Sequence, residues 1–142
     1  MEYSDVKKLM RGCPDFKGFD EGVISLLLWR GDEKHLQPGA IVYAEATQLD
    51  DTFCLLLSGD LVVEKSGHVV GQIAEGQLFG EMAYFTPLNR RTATVRAGAR
   101  PATILQIQLT REELASAPFS SMKRQLGVQA WDRFVSSSQS RP

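Results

Sequence analysis

The chain has 142 residues, of which 43% are hydrophobic and 23% charged, and its formal net charge is −1. This length suits one globular domain, and a charge this close to zero gives no electrostatic support for binding nucleic acid or acidic membranes. The apolar run VISLLLW is too short to span a bilayer, and the acidic start MEYSD is not typical of a signal peptide. We therefore expect a cytoplasmic protein that binds neither nucleic acid nor membrane.

Two short helices are predicted near the start of the chain. The first covers Ser4 to Arg11, with Ser4 as a candidate N-cap. Asp20 is predicted to cap the second helix, which ends at Trp29. The turn-rich segment CPDFKGF connects the two.

The character of the sequence changes from His35 onwards, where β-branched and apolar runs alternate with turn dipeptides such as Pro-Gly and Ser-Gly. The runs are QPGAIVYAEA, TFCLLLSGDLVVEK, GHVVGQIAEG, RTATVRA and ATILQIQL. Short strands separated by regularly placed turns indicate a mainly β fold. We expect an antiparallel jelly-roll barrel with flanking helices.

Helical signals return after the last strand. Thr110 and Glu113 have the spacing of a capping box, and the segment from Ser120 to Val135 is predicted to form an amphipathic helix. The polar tail, residues 136–142, is expected to be disordered. We expect residues 1–135 to form a single domain.

Cysteine and histidine give little support for a metal site or for catalysis. Cys13 and Cys54 lack C-x-x-C spacing, which favours two buried thiols over a disulfide or a metal site. His35 and His68 lie at strand edges without further ligands at metal spacing. We therefore expect no bound metal. Because no nucleophilic side chain lies beside a base, we expect no catalytic residue and do not expect an enzyme.

The segment FGEMAYFTPLNRRTATV, from Phe79 to Val95, combines chemistry that a surface loop or a core strand would not need. A helical turn starting near Glu81 would aim free backbone amides outward, which suits an anion. Arg91 adds a planar fork for phosphate oxygens, and the Glu81 carboxylate suits a hydroxyl donor such as a sugar. The pattern favours a small ligand with an anionic group close to a hydroxyl, although Glu81 and Arg91 paired with each other would also close the loop.

This segment resembles the phosphate-binding cassette of cyclic nucleotide-binding domains, roughly F-G-E-[LM]-A-L, a variable loop, then R-[AST]-A-[TS]-V. The chain supplies FGEMA and RTATV, and the upstream stretches LQPGAIVY, LLLSGDLVV and IAEGQLFGE resemble further family markers in the same order. The resemblance covers about residues 15 to 135, and several residue types agree at fixed positions. It implies a jelly-roll barrel that binds cAMP or cGMP and has a regulatory role. Its expected partner is a protein effector or a second copy of the chain in a homodimer.

The resemblance also implies roles for individual residues. Arg91 would hold the exocyclic oxygens of the cyclic phosphate, and Glu81 would accept from the ribose 2′-hydroxyl. Backbone amides of Met82, Ala83 and Ala93 would complete the phosphate cradle, and Gly80 would permit close approach. Thr92 would be able to contact the phosphate or a guanine, so cGMP is also a candidate ligand. Val70 and Ile73 would flank the base, and Trp131 would be either a cap over the base or a core or interface residue.

Two departures and one alternative accompany these roles. The turn that reads E-G-D in the family is Glu45-Ala46-Thr47 here, which puts its geometry in question, and Arg90 is an extra cation that would be able to exchange roles with Arg91. The alternative function is a degenerate barrel of the same type that serves as an interaction or dimerisation platform.

Overall fold

The computed structural model describes residues 3–12, 16, 19–81, 90–114 and 116. The described helices are α1 (Tyr3–Arg11), α2 (Glu21–Arg30) and α3 (Arg111–Leu114). The described strands are β1 (Gly31–Leu36), β2 (Ile41–Tyr43), β3 (Thr52–Ser58), β4 (Leu61–Lys65), β5 (His68–Ile73), β6 (Leu78–Phe79), β7 (Thr94–Ala97) and β8 (Ala102–Gln108).

The strands form two four-stranded antiparallel sheets, one in the order β1-β8-β3-β6 and the other in the order β2-β7-β4-β5. Together they make the mainly β jelly roll that the turn spacing predicts. The long connection from β6 to β7 passes from the first sheet to the second. The segment from Phe79 to Val95 is therefore a crossover between sheets, as predicted, and not a hairpin.

Strand β3 divides the core into two parts. Its side chains are buried from Thr52 to Leu57, and successive side chains of a strand point to opposite faces. Phe53, Leu55 and Leu57 pack in a cluster with residues of α1 and α2, whereas Cys54 and Leu56 belong to a second cluster between the two sheets. The first sheet is thus covered on both faces, which explains why this strand is apolar throughout.

The N-terminal helices pack on the outer face of the first sheet. Asp20 is the N-cap of α2, and its carboxylate accepts from the Gly22 backbone at 3.4 Å, as predicted. Helix α1 begins at Tyr3, so Ser4 lies inside the helix and the prediction of Ser4 as its N-cap is wrong. The capping box is confirmed, since Thr110 and Glu113 exchange hydrogen bonds at the start of α3.

Strand β1 is not predicted from the sequence. Its residues GDEKHL are mostly polar and exposed, and among the described strands it pairs with β8 alone, at the edge of the sheet. Such a strand has no alternation of apolar and polar residues in its sequence, and it is recognised only by its backbone pairing with β8. Strand formation therefore starts four residues before His35 (35 − 31 = 4).

Several predictions fall outside the described residues. These are the buried state of Cys13, the cassette positions Met82 and Ala83, the last helix from Ser120 to Val135 with Trp131, and the tail at 136–142. Among the helices that the structure describes, none has the length and apolar character needed to cross a bilayer.

Candidate functional site

Arg91 lies at the end of the crossover, just before β7, with 5% of its surface exposed. Its Nη2 donates to Asp50 Oδ1 at 2.6 Å and to the Thr52 carbonyl at 2.9 Å, and it lies 3.3 Å from Thr52 Oγ1. Its Nη1 donates to the Gly80 carbonyl at 2.9 Å. A buried guanidinium requires such partners, and here they come from two segments of the chain, the start of β3 with the residues just before it and the crossover.

The loop between β2 and β3 is attached to the end of the crossover by backbone hydrogen bonds. The amide of Ala46 donates to the Arg91 carbonyl at 2.9 Å, and the amide of Arg91 donates to the Thr47 carbonyl at 2.8 Å. Arg90 is exposed, forms a bridge with Gln48, and donates from Nη1 to the Ala46 carbonyl at 2.9 Å. The two adjacent arginines are therefore distinct, because one is buried in the site and the other lies along the loop.

The turn at Glu45-Ala46-Thr47, whose geometry was in question, keeps a left-handed residue at its centre. Ala46 has φ of 68°, in the region that glycine populates most easily. The backbone thus adopts the left-handed conformation for which the family pattern supplies a glycine. The hydrogen bonds to Arg91 hold Ala46 there despite its Cβ.

Tyr43, at the end of β2, lies with its ring on the guanidinium of Arg91, 3.7 Å from the ring centroid to Cζ. Both residues are buried, with 5% exposure each. A cation stacked on an aromatic face is attracted by the ring quadrupole, and more strongly where water is excluded. The contact therefore contributes to the stability of the buried guanidinium.

The hydroxyl of Tyr43 is anchored in a short polar network. Thr52 Oγ1 donates to Asp50 Oδ1 at 2.7 Å, which leaves it as the acceptor for the Tyr43 hydroxyl at 2.8 Å. The Tyr43 hydroxyl also contacts Cys54 Sγ at 3.2 Å. Burial, together with the neighbouring Cys54, raises the pKa of Tyr43, so the phenol stays protonated and able to donate.

Gly80 makes the close approach of these groups feasible. Its φ is 87°, and a Cβ at this position would lie 2.8 Å from Tyr43 Cε2 and 3.2 Å from Arg91 Nη1. Real Cβ contacts are almost never as short as the first of these, so a side chain here would displace the tyrosine ring. The glycine of the FGE motif is therefore needed for backbone conformation and for space.

Two ionisable neighbours of Arg91 have shifted pKa values. Burial acts to raise the pKa of Asp50, but hydrogen bonds from Thr52 and Arg91 and the charge of Arg91 outweigh it, so that this pKa lies below its ordinary value. Burial raises the pKa of the Cys54 thiol to about 12, although the hydrogen bond with Tyr43 acts in the opposite direction. Asp50 is thus a carboxylate near neutral pH, and Cys54 is an inert thiol.

One nitrogen of the Arg91 guanidinium is not used by these contacts. Its Nε is buried and has no hydrogen-bond partner among the described residues. Leaving a buried charged donor unsatisfied is costly, which makes such an atom a candidate contact for a ligand. Glu81 follows Gly80 directly and is fully buried, so a carboxylate lies in the same crossover.

The structure brings together only part of the predicted site. Gly80 and Arg91 are in contact, with Thr92 and Ala93 next in the chain after Arg91, but the roles assigned to them stay predictions. Ile73 is buried in the core cluster between the sheets, with Tyr43 and Phe79, whereas 53% of Val70 is exposed.

Sequence reasoning missed three partners of Arg91, namely Tyr43, Asp50 and Thr52. They precede it by about forty to fifty residues, and the strand pattern gives no register that would place them beside it. Their side-chain types carried a weak indication, since an acidic residue and a buried aromatic ring are the usual partners of a buried arginine. Among the described residues no group of three His, Cys, Asp or Glu side chains is arranged to hold a metal ion.

A two-sheet jelly roll with a buried arginine and a glycine-acid pair in its intersheet crossover defines the class of jelly-roll domains to which the cassette motif points. Consistent with this class, the family model for the cyclic nucleotide-binding domain matches residues 33–113. The chain belongs to the cyclic nucleotide-binding domain family. A comparison with curated proteins finds no match.

Solved structures with the same fold include two with bound ligands. The structure of cAMP-bound PfPKA-R (141-441) aligns with a TM-score of 0.69 at 20% identity over 92% of this chain, which spans 44% of that protein. The structure of PKAR CBD2 bound to Sp-2Cl-cAMPS aligns with a TM-score of 0.70 at 19% identity, covering 98% of this chain and 94% of the other.

A protein from Geobacter metallireducens GS-15, to which cyclic nucleotide binding is ascribed, has a TM-score of 0.75 at 19% identity. The alignment covers 96% of this chain and 98% of that one. At such low identities these likenesses show the shared fold.

Proposed function

We propose that this domain binds a cyclic nucleotide, cAMP or cGMP, and acts as a regulatory sensor whose output passes to a protein effector or to a second copy of the chain. The observation that carries the proposal is the buried Nε of Arg91, which has no acceptor among the described residues. A phosphate oxygen would supply that acceptor and would satisfy the atom by a charge-assisted hydrogen bond. The ligand-bound structures of similar fold support this choice of ligand.

In this proposal the crossover recognises two parts of the ligand. Arg91 donates from Nε to an exocyclic phosphate oxygen, while its other nitrogens keep their contacts with Asp50, Thr52 and Gly80. Glu81 accepts from the ribose 2′-hydroxyl, since a carboxylate cannot donate to phosphate but suits a hydroxyl. The family's phosphate-binding amides would come from Met82, Ala83 and Ala93.

Isothermal titration with cAMP and with cGMP tests the proposal, using Arg91→Ala as the principal variant. We expect it to lose about 2–5 kcal/mol of binding free energy, because the phosphate becomes desolvated without its charged partner. Arg90→Ala is the matched control, since this neighbouring arginine is exposed and bonded to the Ala46 carbonyl. A loss confined to Arg90→Ala would mean that the two arginines have exchanged roles, and equal binding by all three proteins would contradict the assignment.

Glu81→Gln gives a graded second measurement. It keeps the shape of the side chain but weakens the acceptor, so we expect about 1–3 kcal/mol of lost binding. A larger effect at Glu81 than at Arg91 would show that the carboxylate, and not the arginine, dominates recognition.

A second candidate function follows from the contacts that Arg91 already has. Its pairing with Asp50, Thr52 and Gly80 would also serve to close the crossover in a barrel that no longer binds nucleotide and acts as an interaction platform. A folded protein that releases no heat with either nucleotide, together with a lower unfolding free energy for Arg91→Ala, would favour this function.

A further inference from the structure

The feature that the proposed function does not yet use is the aromatic ring beneath Arg91. Arg91 Cζ lies over the Tyr43 ring, 3.7 Å from the ring centroid. The ring is itself held in place, because its hydroxyl is hydrogen-bonded to Thr52 and its other neighbours include Phe79, whose ring is 6.0 Å away in an edge-on arrangement. Tyr43 is thus a rigid platform at the end of β2.

Each nitrogen of the Arg91 guanidinium has a different set of contacts. Nη2 is occupied by Asp50 and Thr52, and Nη1 donates to the Gly80 carbonyl. Tyr43 covers one face of the guanidinium plane. The edge that carries Nε is the part with a buried donor and no partner among the described residues.

The geometry points to Tyr43 as a positioning residue for Arg91, an inference that rests on the proposed function. The stacked ring sets the plane of the guanidinium, so that Nε–H is directed at one phosphate oxygen before the ligand arrives. A free arginine side chain has many rotamers and loses them when it binds, whereas a preorganised one has already lost them during folding. Without the Tyr43 ring, the Arg91 side chain would become ordered only on ligand binding, and this loss of entropy would weaken the binding.

Gly80 provides an independent indication that the stack is built into the fold. Its missing side chain is what allows the ring and the guanidinium to meet, since a Cβ would lie 2.8 Å from Tyr43 Cε2 and 3.2 Å from Arg91 Nη1. The backbone at this glycine also supplies the carbonyl that receives Nη1. The strand end, the glycine and the arginine therefore form one unit.

The test combines titration with arginine side-chain NMR on Tyr43→Leu, Tyr43→Phe and the unchanged protein. Tyr43→Leu removes the ring, and we expect roughly tenfold weaker binding of the nucleotide that the parent prefers. Tyr43→Phe keeps the ring and loses only the hydroxyl, so its affinity should stay within about threefold of the parent. Ile104→Ala, a buried change in the same core cluster, controls for a general loss of packing.

The NMR readout reports the arginine itself. In the parent, the Nε–H resonance of Arg91, assigned by its loss in Arg91→Lys, should be sharp, shifted by the ring current, and connected by nuclear Overhauser effects to the Tyr43 ring protons. We expect Tyr43→Leu to broaden and shift this resonance, and Ile104→Ala to leave it in place. A merely structural role for the ring would weaken the fold without this selective change.

The outcomes separate the inference from the proposed function. Unchanged affinity and an unchanged Arg91 resonance in Tyr43→Leu would overturn the positioning role. If the parent binds neither nucleotide, the proposed function fails, and the resonance alone then decides whether Tyr43 orders Arg91. If Tyr43→Leu does not fold, the Overhauser contacts in the parent decide, and their absence overturns the inference.

Discussion

At Gly80 the crossover passes close to the Tyr43 ring and the Arg91 guanidinium. Its positive φ alone would tolerate a non-glycine residue at a moderate cost, as Ala46 shows. The lack of space is the additional constraint, because a Cβ would meet Arg91 Nη1 and the Tyr43 ring, whose hydroxyl is hydrogen-bonded to Thr52. The two effects can be measured separately.

We expect Gly80→Ala to lower the unfolding free energy by about 2–4 kcal/mol, the sum of the left-handed backbone cost and the steric conflict. Gly39→Ala is the matched control, since Gly39 has φ of 79° but a Cβ added there would meet no atom within 4 Å. The control should cost only about 1–2 kcal/mol. Equal losses in urea denaturation would show that the space between Tyr43 and Arg91 is not limiting.

Asp50 shows how a single ion pair links the site to pH. Its folded pKa lies below the ordinary value of 3.8, so the unfolded chain takes up a proton before the folded one does. The stabilisation is therefore fully present above about pH 5 and is lost as the pH falls below the ordinary value and through the folded pKa. It does not change across the neutral range.

Asp50→Asn tests this dependence by removing the titrating group. The parent should lose more stability between about pH 5 and about pH 2 than the variant, as measured by urea denaturation at each pH. Because the Asp50 side chain is more than half exposed, the difference should be small. Parallel curves for the two proteins would mean that the pair with Arg91 contributes nothing to the pH dependence.

At the scale of the elements, the loop between β2 and β3 is hydrogen-bonded to the end of the crossover. It exchanges backbone hydrogen bonds with Arg91 at 2.9 and 2.8 Å and accepts the side chain of Arg90. Ala46, at the centre of this loop, is held at φ of 68°. The loop therefore contains a local strain that the hydrogen bonds offset.

Replacing Ala46 by Gly should relieve this strain. We expect a gain of about 0.5–1 kcal/mol in unfolding free energy, which is the left-handed penalty reduced by the greater entropy of glycine in the unfolded chain. Ala44→Gly, two residues earlier and without positive φ, should instead destabilise the protein by about 0.5–1 kcal/mol. A loss at both positions would contradict the strain at Ala46.

At the scale of the whole molecule, a sensor must transmit ligand binding from the crossover to another element. A ligand shifts an equilibrium only through contacts that differ between two states. The predicted last helix, Ser120 to Val135, is amphipathic by sequence and follows α3, which is tied to α2 by the Arg30–Glu113 ion pair. We propose this segment as the reporter of binding.

Trp131 makes the proposal measurable. In a Trp29→Phe background, saturating cyclic nucleotide should change Trp131 emission and slow hydrogen exchange along Ser120 to Val135. Trp29 has to be replaced because it is the other of the two tryptophans and its emission would overlap that of Trp131. Tight binding with both readouts unchanged would exclude this helix as the reporter and direct attention to the N-terminal helices.

The sequence by itself determined the jelly roll, the capping of α2 and α3, and the position of the crossover, because these follow from local periodicity, turn residues and a motif of contiguous positions. It did not reveal strand β1, whose polar residues are ordered only by pairing with β8. Only the tertiary structure decided which side chains meet Arg91. Tyr43, Asp50 and Thr52 reach it through strand register and loop geometry, and these depend on the packing of two sheets that no local pattern encodes.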